Sequence, residues 1–409
     1  MTGGKAFARK VPSGRAELWK AGRPRLARLD VELTERCNNG CIHCAINLPA
    51  GDGNARRREL GAGEIKAVLE EAASLGCLSV RFTGGEPLLR EDFETIYLDA
   101  RRLGLRVRIF TNASLVTPRL ATILEKTPPL ERMEISVYGM TAATEAAVTR
   151  NPGSHEASRR GIELLAGHGV PFVIKGAVLP PTRREMDRFE TWARVTAGLS
   201  EPPAYAALFD LRSRRDDEAK NGRIRKLRLT PAEYVRLAAR RGESQRAELR
   251  AFVARFSGVP GDRLFTCLAD SGSIDAYGGF QACLALRHPR TVYDLKTGSL
   301  AAAVSEFLPE VREMRSAEPA YLGRCGRCFL KSLCLQCPAK SWAEHGTLDD
   351  PVEYFCGITH AQAVSIGVLR AGETAWMVAD WPARVGRLAA SAKISRDGQS
   401  AAPAACEGE

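Results

Sequence analysis

The stretch Cys37-Asn38-Asn39-Gly40-Cys41-Ile42-His43-Cys44 decides how this chain is read. It places three cysteines at C-x3-C-x2-C spacing directly after an apolar run from Leu26 to Leu33. Three thiolates this close can hold one metal centre, but a cubane [4Fe–4S] cluster has four irons to ligate. One iron is then left for some other molecule to complete. The alternative is a structural zinc loop, which takes four protein ligands, and no fourth cysteine or well-spaced histidine follows locally.

The remaining cysteines point the same way. Ten of the twelve fall in two groups, at 37–44 and 267–356. Cys77, inside an apolar run, reads as a small buried hydrophobe, and Cys406 sits in an Ala-, Pro- and Glu-containing tail expected to be disordered. No apolar run approaches the roughly 20 residues that cross a bilayer, and the basic N-terminus lacks the apolar core of a secretory signal. The expectation is a cytoplasmic protein with no membrane partner, where cysteines serve metals before disulfides.

At 409 residues the chain has room for two domains. Its net charge of +11 is uneven: eight Lys and Arg lie between Met1 and Arg28 against Glu17 alone, and Arg56-Arg57-Arg58 follow the cysteine loop. Such runs are usually solvated surface, and in a functional role they suit an acidic peptide. No aromatic-interleaved basic stripe or recognition module points to nucleic acid.

Residues 1–25 read as a basic arm with one short helix around 14–21, too short for a separate folded domain. From Leu26 short apolar strands alternate with amphipathic helices, the pattern of βα units around a parallel sheet. The strands are expected at Ala27–Leu33, Ser79–Thr83, Arg106–Phe110, Arg132–Val137, Phe172–Val178 and Tyr205–Leu211. Helices are expected at Gly63–Leu75, Asp92–Leu103, Thr117–Glu125 and Ser154–His168, with Gly76, Gly104 and Gly169 where three of them stop. Six repeats predict an α/β fold, a partial (β/α)6 TIM-like barrel over 26–212. Its reactive face lies at the C-terminal ends of the strands.

Residues 213–260 read as linker helices. Thr230, Pro231 and Glu233 form a capping box, and a basic helix covers Ser244–Phe256. A small cysteine-rich iron–sulfur domain is expected over 261–360. A C-terminal helix at Ile358–Leu369 and a disordered tail complete the chain, the tail starting near Lys393.

Cys37, Cys41 and Cys44, with His43 at a position usually aromatic, resemble the C-x3-C-x-φ-C signature of the radical S-adenosylmethionine (radical SAM) enzymes. The resemblance implies that SAM chelates the open iron through its amino and carboxylate groups. One electron then cleaves the S–C5′ bond, and the 5′-deoxyadenosyl radical abstracts a substrate hydrogen. Gly84-Gly85-Glu86-Pro87 is similar to the family's GGEP element, which implies a backbone site for the SAM amino group with Glu86 orienting the loop. By the same resemblance Asn112, in Thr111-Asn112-Ala113, stands in a T-N-G element with alanine replacing glycine. Ser136 is implied near the SAM ribose or carboxylate, Arg150 at the carboxylate and Gly176 in an adenine element. Each of these alone reads equally as a cap or a surface contact.

The later cysteines follow C-x10-G-x4-C at Cys267, Gly278 and Cys283. After forty-one intervening residues come C-x2-C-x5-C-x2-C at Cys325, Cys328, Cys334 and Cys337, and then Cys356. This order resembles the SPASM domain of radical SAM enzymes that act mainly on peptides and proteins, except that its last short spacing is usually x3. Carried over, the resemblance implies one auxiliary [4Fe–4S] cluster on Cys325, Cys328, Cys334 and Cys356. A second, on Cys267, Cys283 and Cys337, has its fourth position left to Asp262, Asp270, water or substrate. Three clusters and SAM are the implied cofactors. A pair of zinc knuckles is the alternative, but seven cysteines do not divide into two all-cysteine zinc sites.

The leading expectation is a radical SAM/SPASM enzyme modifying a ribosomally made peptide by thioether formation, carbon–carbon crosslinking or epimerisation. Its implied partners are the peptide, an external one-electron donor such as flavodoxin or ferredoxin, and a separate leader-binding protein, since only about 25 residues precede the first strand. A formylglycine-forming sulfatase-maturing enzyme is a rival. There an aspartate directly after the second auxiliary cysteine serves as base, whereas Leu284 follows Cys283 and cannot take a proton. Haem-pathway and other small-molecule radical SAM enzymes, and a non-catalytic iron–sulfur relay, are the further alternatives.

Overall fold

The computed structural model describes residues 26–198, 203–240, 242–266, 271–334 and 337–394. The expected helix at 14–21, Cys267, Asp270, Cys406 and the tail from 395 lie outside the described residues. The chain divides into two compact units, Met1–Leu227 with Asp270–Pro309, and Arg228–Ala269 with Glu310–Glu409.

The first unit is organised by six parallel strands, β1 (Arg28–Thr34), β2 (Ser79–Gly84), β3 (Arg106–Thr111), β4 (Met133–Ser136), β5 (Phe172–Ala177) and β6 (Tyr205–Ala206). Helices α1 (Ala62–Ser74), α2 (Phe93–Arg102), α3 (Pro118–Lys126), α4 (Ala142–Thr149), α5 (Ser154–Gly167) and α6 (Met186–Ala197) lie between them. Alternation explains the packing. Leu29, Val31, Val80, Phe82, Val107, Ile109, Ile135 and Ile174 are buried on one face, and α1 adds Ile65, Leu69, Ala72 and Ala73 to the core. Each such side chain contributes about 1.5–3 kcal/mol on burial.

The other face is charged. Asp30 is in register with Arg81, and Arg81 with Arg108. Arg108 reaches Glu131 at 2.8 Å and Glu134 at 3.1 Å, and Lys175 pairs with Glu134. Parallel strands covered on both faces are ordinarily apolar throughout; here the second face instead carries charges that pair across neighbouring strands.

Two elements depart from expectation. The sixth strand is two residues long, paired only through Gly176 with Tyr205 and Ala177 with Ala206. The chain then leaves the ladder while Ala207, Leu208 and Phe209 stay buried, so apolarity there reflects burial without strand pairing. Residues 271–294, assigned from sequence to the auxiliary domain, ladder with the barrel. β7 (Ser271–Ile274) runs parallel to β1, and β8 (Gly279–Gln281) and β9 (Tyr293–Asp294) follow antiparallel. Strands of two to four residues, one of them Ser-Gly-Ser-Ile, are too short to display the period of two that identifies strands.

The second unit is helical among its described residues, with α7 (Pro231–Ala239), α8 (Gly242–Phe256), α9 (Pro338–His345), α10 (Glu353–Ser365) and α11 (Trp381–Ile394). The capping box at α7 forms as expected, Thr230 N–H donating to Glu233 at 2.8 Å and Glu233 N–H to the Thr230 hydroxyl at 3.3 Å. α10 begins before Cys356 and not after it, so this cysteine is helical. The core gathers Val253, Phe329, Leu330, Ile366 and Leu369, with Phe329 stacked on Trp381 at 5.5 Å.

Candidate active site

The loop after β1 is held at both ends before any cofactor is considered. Arg36, the residue before Cys37, is buried and clasps Glu59 through two bonds of 2.8 and 2.9 Å. At the far side Gly40 N–H donates to Thr149 O at 2.7 Å and Ile42 N–H to Val148 O at 3.0 Å. The cysteine loop is therefore pinned to the last turn of α4. The Asn151 amide adds bonds to Asn39 Oδ1 at 2.9 Å and Asn38 O at 3.3 Å. Cys37 and Cys41 are buried and Cys44 is partly exposed. Burial pushes the Cys37 thiol up to about 12 and the Cys41 thiol well above its ordinary value.

The GGEP segment joins this loop by backbone contact. Gly85 N–H donates to Thr34 O at 2.7 Å and Glu86 N–H to Arg36 O at 2.9 Å. Gly84 has φ of +136°, and a Cβ there would lie 2.0 Å from Thr34 O; one on Gly85 would lie 2.2 Å from Arg36 O. Both positions accept only glycine, because the close approach is to the chain's own backbone. Fully buried Glu86 then accepts from the Thr111 hydroxyl at 2.7 Å, Asn112 N–H at 2.8 Å and Leu88 N–H at 3.1 Å. Burial raises its carboxyl to about 7. Asn112 donates through its amide to Asn38 Oδ1 at 2.9 Å, and Asn38 donates to Ser114 at 2.8 Å. Three strand ends far apart in sequence thus form one hydrogen-bonded rim. Ala113, in place of a glycine, adopts φ of +59°.

At the ends of β4 and β5 a pocket is lined by Val137, Tyr138, Met140, Gly176, Glu185 and Phe189, among others. A Cβ on Gly176 would lie 2.9 Å from the Phe189 ring, so this glycine admits the aromatic wall. Ser136 ends β4 and is half-buried. His43 packs edge-on against Tyr138 at 4.8 Å and beside Phe209 at 5.1 Å. Its Nδ1 is buried with no protein hydrogen-bond partner, and burial lowers the ring to about 4. Buried Glu145 accepts Tyr138 N–H at 3.1 Å and is raised to about 7 by burial. Arg150 caps α4 in a left-handed conformation, φ +57°, and its side chain is exposed.

A group that sequence reasoning missed lies beneath the same rim. Glu32 on β1 and Glu35 before the cysteines are both buried and share Arg287, which reaches Glu35 at 2.7 Å and also pairs with Glu32. Tyr277 donates to Glu35 at 2.8 Å, and Arg214 pairs with it as well. Burial raises Glu32 to about 7, though Arg287 opposes this. The signal available in sequence was two acidic residues at the C-terminal end of an apolar strand; their cations come from more than 170 positions away, which spacing does not reveal.

Four of the later cysteines meet in the second unit. Cys325, Cys328, Cys334 and Cys356 line one pocket with Arg324, Lys331 and His360. Burial raises Cys328 to about 12 and Cys356 to about 11. Cys337 instead caps the N-terminus of α9, and Cys283 is exposed in the first unit. Cys267 lies outside the described residues, so that third set is not seen together.

The donor sets suit iron–sulfur chemistry. Cys325, Cys328, Cys334 and Cys356 set four thiols around one pocket, and a cluster spreads its thiolates around several irons. Buried thiols whose pKa is raised by desolvation lose that penalty when a metal takes the proton's place. No helix among the described residues is long and apolar enough to cross a membrane.

Residues 31–193 match the Radical SAM superfamily. The chain is 25% identical over 342 residues to the AdoMet-dependent heme synthase of Methanosarcina barkeri, covering 77% of this chain and 92% of that protein. It is 33% identical over 167 residues to the mycofactocin maturase MftC of Mycobacterium tuberculosis, 40% of each chain. In fold it is similar to anSMEcpe with bound AdoMet, at a TM-score of 0.60, 13% identity, and 90% and 100% of the two chains. It is also similar to Streptococcus suis SuiB bound to precursor peptide SuiA, at 0.58, 16%, and 83% and 78%.

Proposed function

We propose, from the premise that this chain is an enzyme of the radical SAM superfamily, that it takes a hydrogen atom from a peptide side chain or Cα carbon in a post-translational modification. The observation that carries this reading is the single rim formed by the cysteine loop, Glu86 and Asn112 at the strand ends. When bound, SAM on a [4Fe–4S] cluster held by Cys37, Cys41 and Cys44 supplies a 5′-deoxyadenosyl radical. The chain's own residues hold that chemistry in place. Glu86 fixes the segment that faces the cluster loop, and His43, Tyr138 and Phe209 supply an aromatic wall that excludes water from one side. His43 Nδ1, Ser136 and Gly176 would offer a nucleoside polar and flat surfaces, and exposed Arg150 would pair with a carboxylate.

Cys325, Cys328, Cys334 and Cys356 are assigned to a fully ligated auxiliary cluster. Cys267, Cys283 and Cys337 are assigned to another, with one position left for substrate. An external one-electron donor completes the scheme. Support for a peptide comes from the resemblance to MftC and to the PqqA peptide cyclase of Gluconobacter oxydans, 30% identical over 147 residues, and from the SuiB fold. A second reading, a haem precursor as substrate, is favoured by the heme synthases, whose similarity extends over 77% and 80% of this chain.

The test is anaerobic reconstitution with SAM and a reductant, offering deuterated substrates and reading deuterium in 5′-deoxyadenosine. Label transferred from a peptide supports the first reading; label transferred only from a haem precursor overturns it in favour of the second. No 5′-deoxyadenosine under any condition overturns both.

A further inference from the structure

His360 lies one helical turn after Cys356 on α10, and its ring is held at both nitrogens. Ala375 N–H donates to Nε2 at 3.0 Å, so Nε2 is the acceptor and in the neutral ring Nδ1 carries the hydrogen. That Nδ1 lies 2.8 Å from the Cys356 carbonyl and 3.5 Å from Cys356 Sγ, a donor shared between oxygen and sulfur. Trp376 packs edge-on against the ring at 5.4 Å and keeps it in this orientation.

Arg324 approaches the same sulfur, its guanidinium 4.0 Å from Sγ. Glu353 holds it with bonds of 2.5 and 3.1 Å, and it lies over the Trp376 ring at 4.9 Å. Glu353 balances part of its charge, so Arg324 presents the sulfur with both a positive charge and a directed donor. Two donors therefore converge on one of the four cysteines, each fixed by partners outside the cysteine set.

We infer that His360 and Arg324 are positioning residues that set the reduction potential of the cluster bound by Cys325, Cys328, Cys334 and Cys356. Hydrogen bonds to a ligating sulfur withdraw electron density and stabilise the more negative, reduced cluster, which raises the potential. The inference rests on the assignment of that cluster. It adds that the cluster's tendency to take an electron is built in through Cys356.

The experiment uses the full-length, reconstituted protein, with redox titration followed by electron paramagnetic resonance. Glutamine at 360 keeps an acceptor for Ala375 N–H where Nε2 stands but removes the donor near sulfur; asparagine keeps a donor where Nδ1 stands. His360→Gln is expected to lower the reduced-to-oxidised ratio of this cluster about threefold to tenfold at fixed poise, at 59 mV per tenfold for one electron. His360→Asn is expected to stay near wild type, with the same iron content in both. Equal potentials in wild type and His360→Gln, or an equal drop in both variants, overturns the inference alone. A signal and iron content that survive in Cys328→Ala and Cys356→Ala overturn the cluster assignment, and the inference with it.

Discussion

Around Cys37, Cys41 and Cys44 the hydrogen bonds that hold the loop are mainly to backbone and neutral amides, although the charges of Lys220, Glu86 and Glu145 also act on its thiols. Gly40 and Ile42 bond to the end of α4, Asn38 and Asn39 bond to Asn112 and Asn151, and the Lys220 ammonium is turned to the Asn47 side chain. Around Cys325, Cys328, Cys334 and Cys356 the lining includes Arg324, Lys331 and His360. The first pocket spends its hydrogen bonds on the shape of a loop that leaves one ligand position to a cofactor. The second brings together the four thiols we assign to a complete ligand set, with polar side chains placed to act on the electronic character of the group they would hold. On that assignment, the loop with the incomplete ligand set is the one framed by backbone bonds to a neighbouring helix.

The largest expected effect separates the two pockets outright. Cys44→Ala is expected to reduce 5′-deoxyadenosine formation to background while the second pocket keeps its iron. Cys325→Ala is expected to leave 5′-deoxyadenosine formation in place and abolish coupled product, as read by chromatography and iron content of each variant.

Next comes the buried charge group under the first rim. Arg287→Met leaves Glu32 and Glu35 without the cation they share and is expected to cost about 3–5 kcal/mol, measured by denaturant unfolding of the metal-free protein. Gly85→Ala, which drives a Cβ into Arg36 O, is expected to cost about 1–3 kcal/mol in the same assay and to displace the cysteine loop, lowering iron uptake at the first pocket only.

A pH effect is smaller and has a definite sign. Glu86 and Glu145 stand near 7 in the folded protein against an ordinary 4.5. Between those values the folded chain binds more protons than the unfolded one, so stability present below about 4.5 is lost as pH rises through about 7. Melting of the metal-free protein should fall over that interval, with a shallower slope in Glu86→Gln. The smallest change is Asn38→Ala, about 1 kcal/mol for a partly buried hydrogen bond, with a measurable loss of SAM affinity.

Much of this was legible in the chain itself because it rests on local periodicity. Five of the six barrel strands were placed to within about two residues, since Val80 and Phe82, or Val107 and Ile109, alternate with polar neighbours. The glycine pair at 84 and 85 was visible as an element, but the reason for it was not. Only the structure reveals that Gly85 must admit Arg36 O, a carbonyl 49 positions earlier. The same limit hid Arg287 beneath Glu32 and Glu35, and the four-residue β7 beside β1. Pairing across such distances leaves no periodic trace, and an isolated arginine has no feature that tells a buried ion pair from a solvated surface. Likewise Pro338 starts a helix, which makes Cys337 its N-cap residue.

The most direct measurement is an electron paramagnetic resonance titration of the reduced, reconstituted protein with SAM. The account predicts that SAM perturbs one signal, that this signal disappears in Cys41→Ala, and that the signal lost in Cys328→Ala is unmoved by SAM. A SAM-sensitive signal that persists in Cys41→Ala, or one that vanishes with Cys328→Ala, would contradict it.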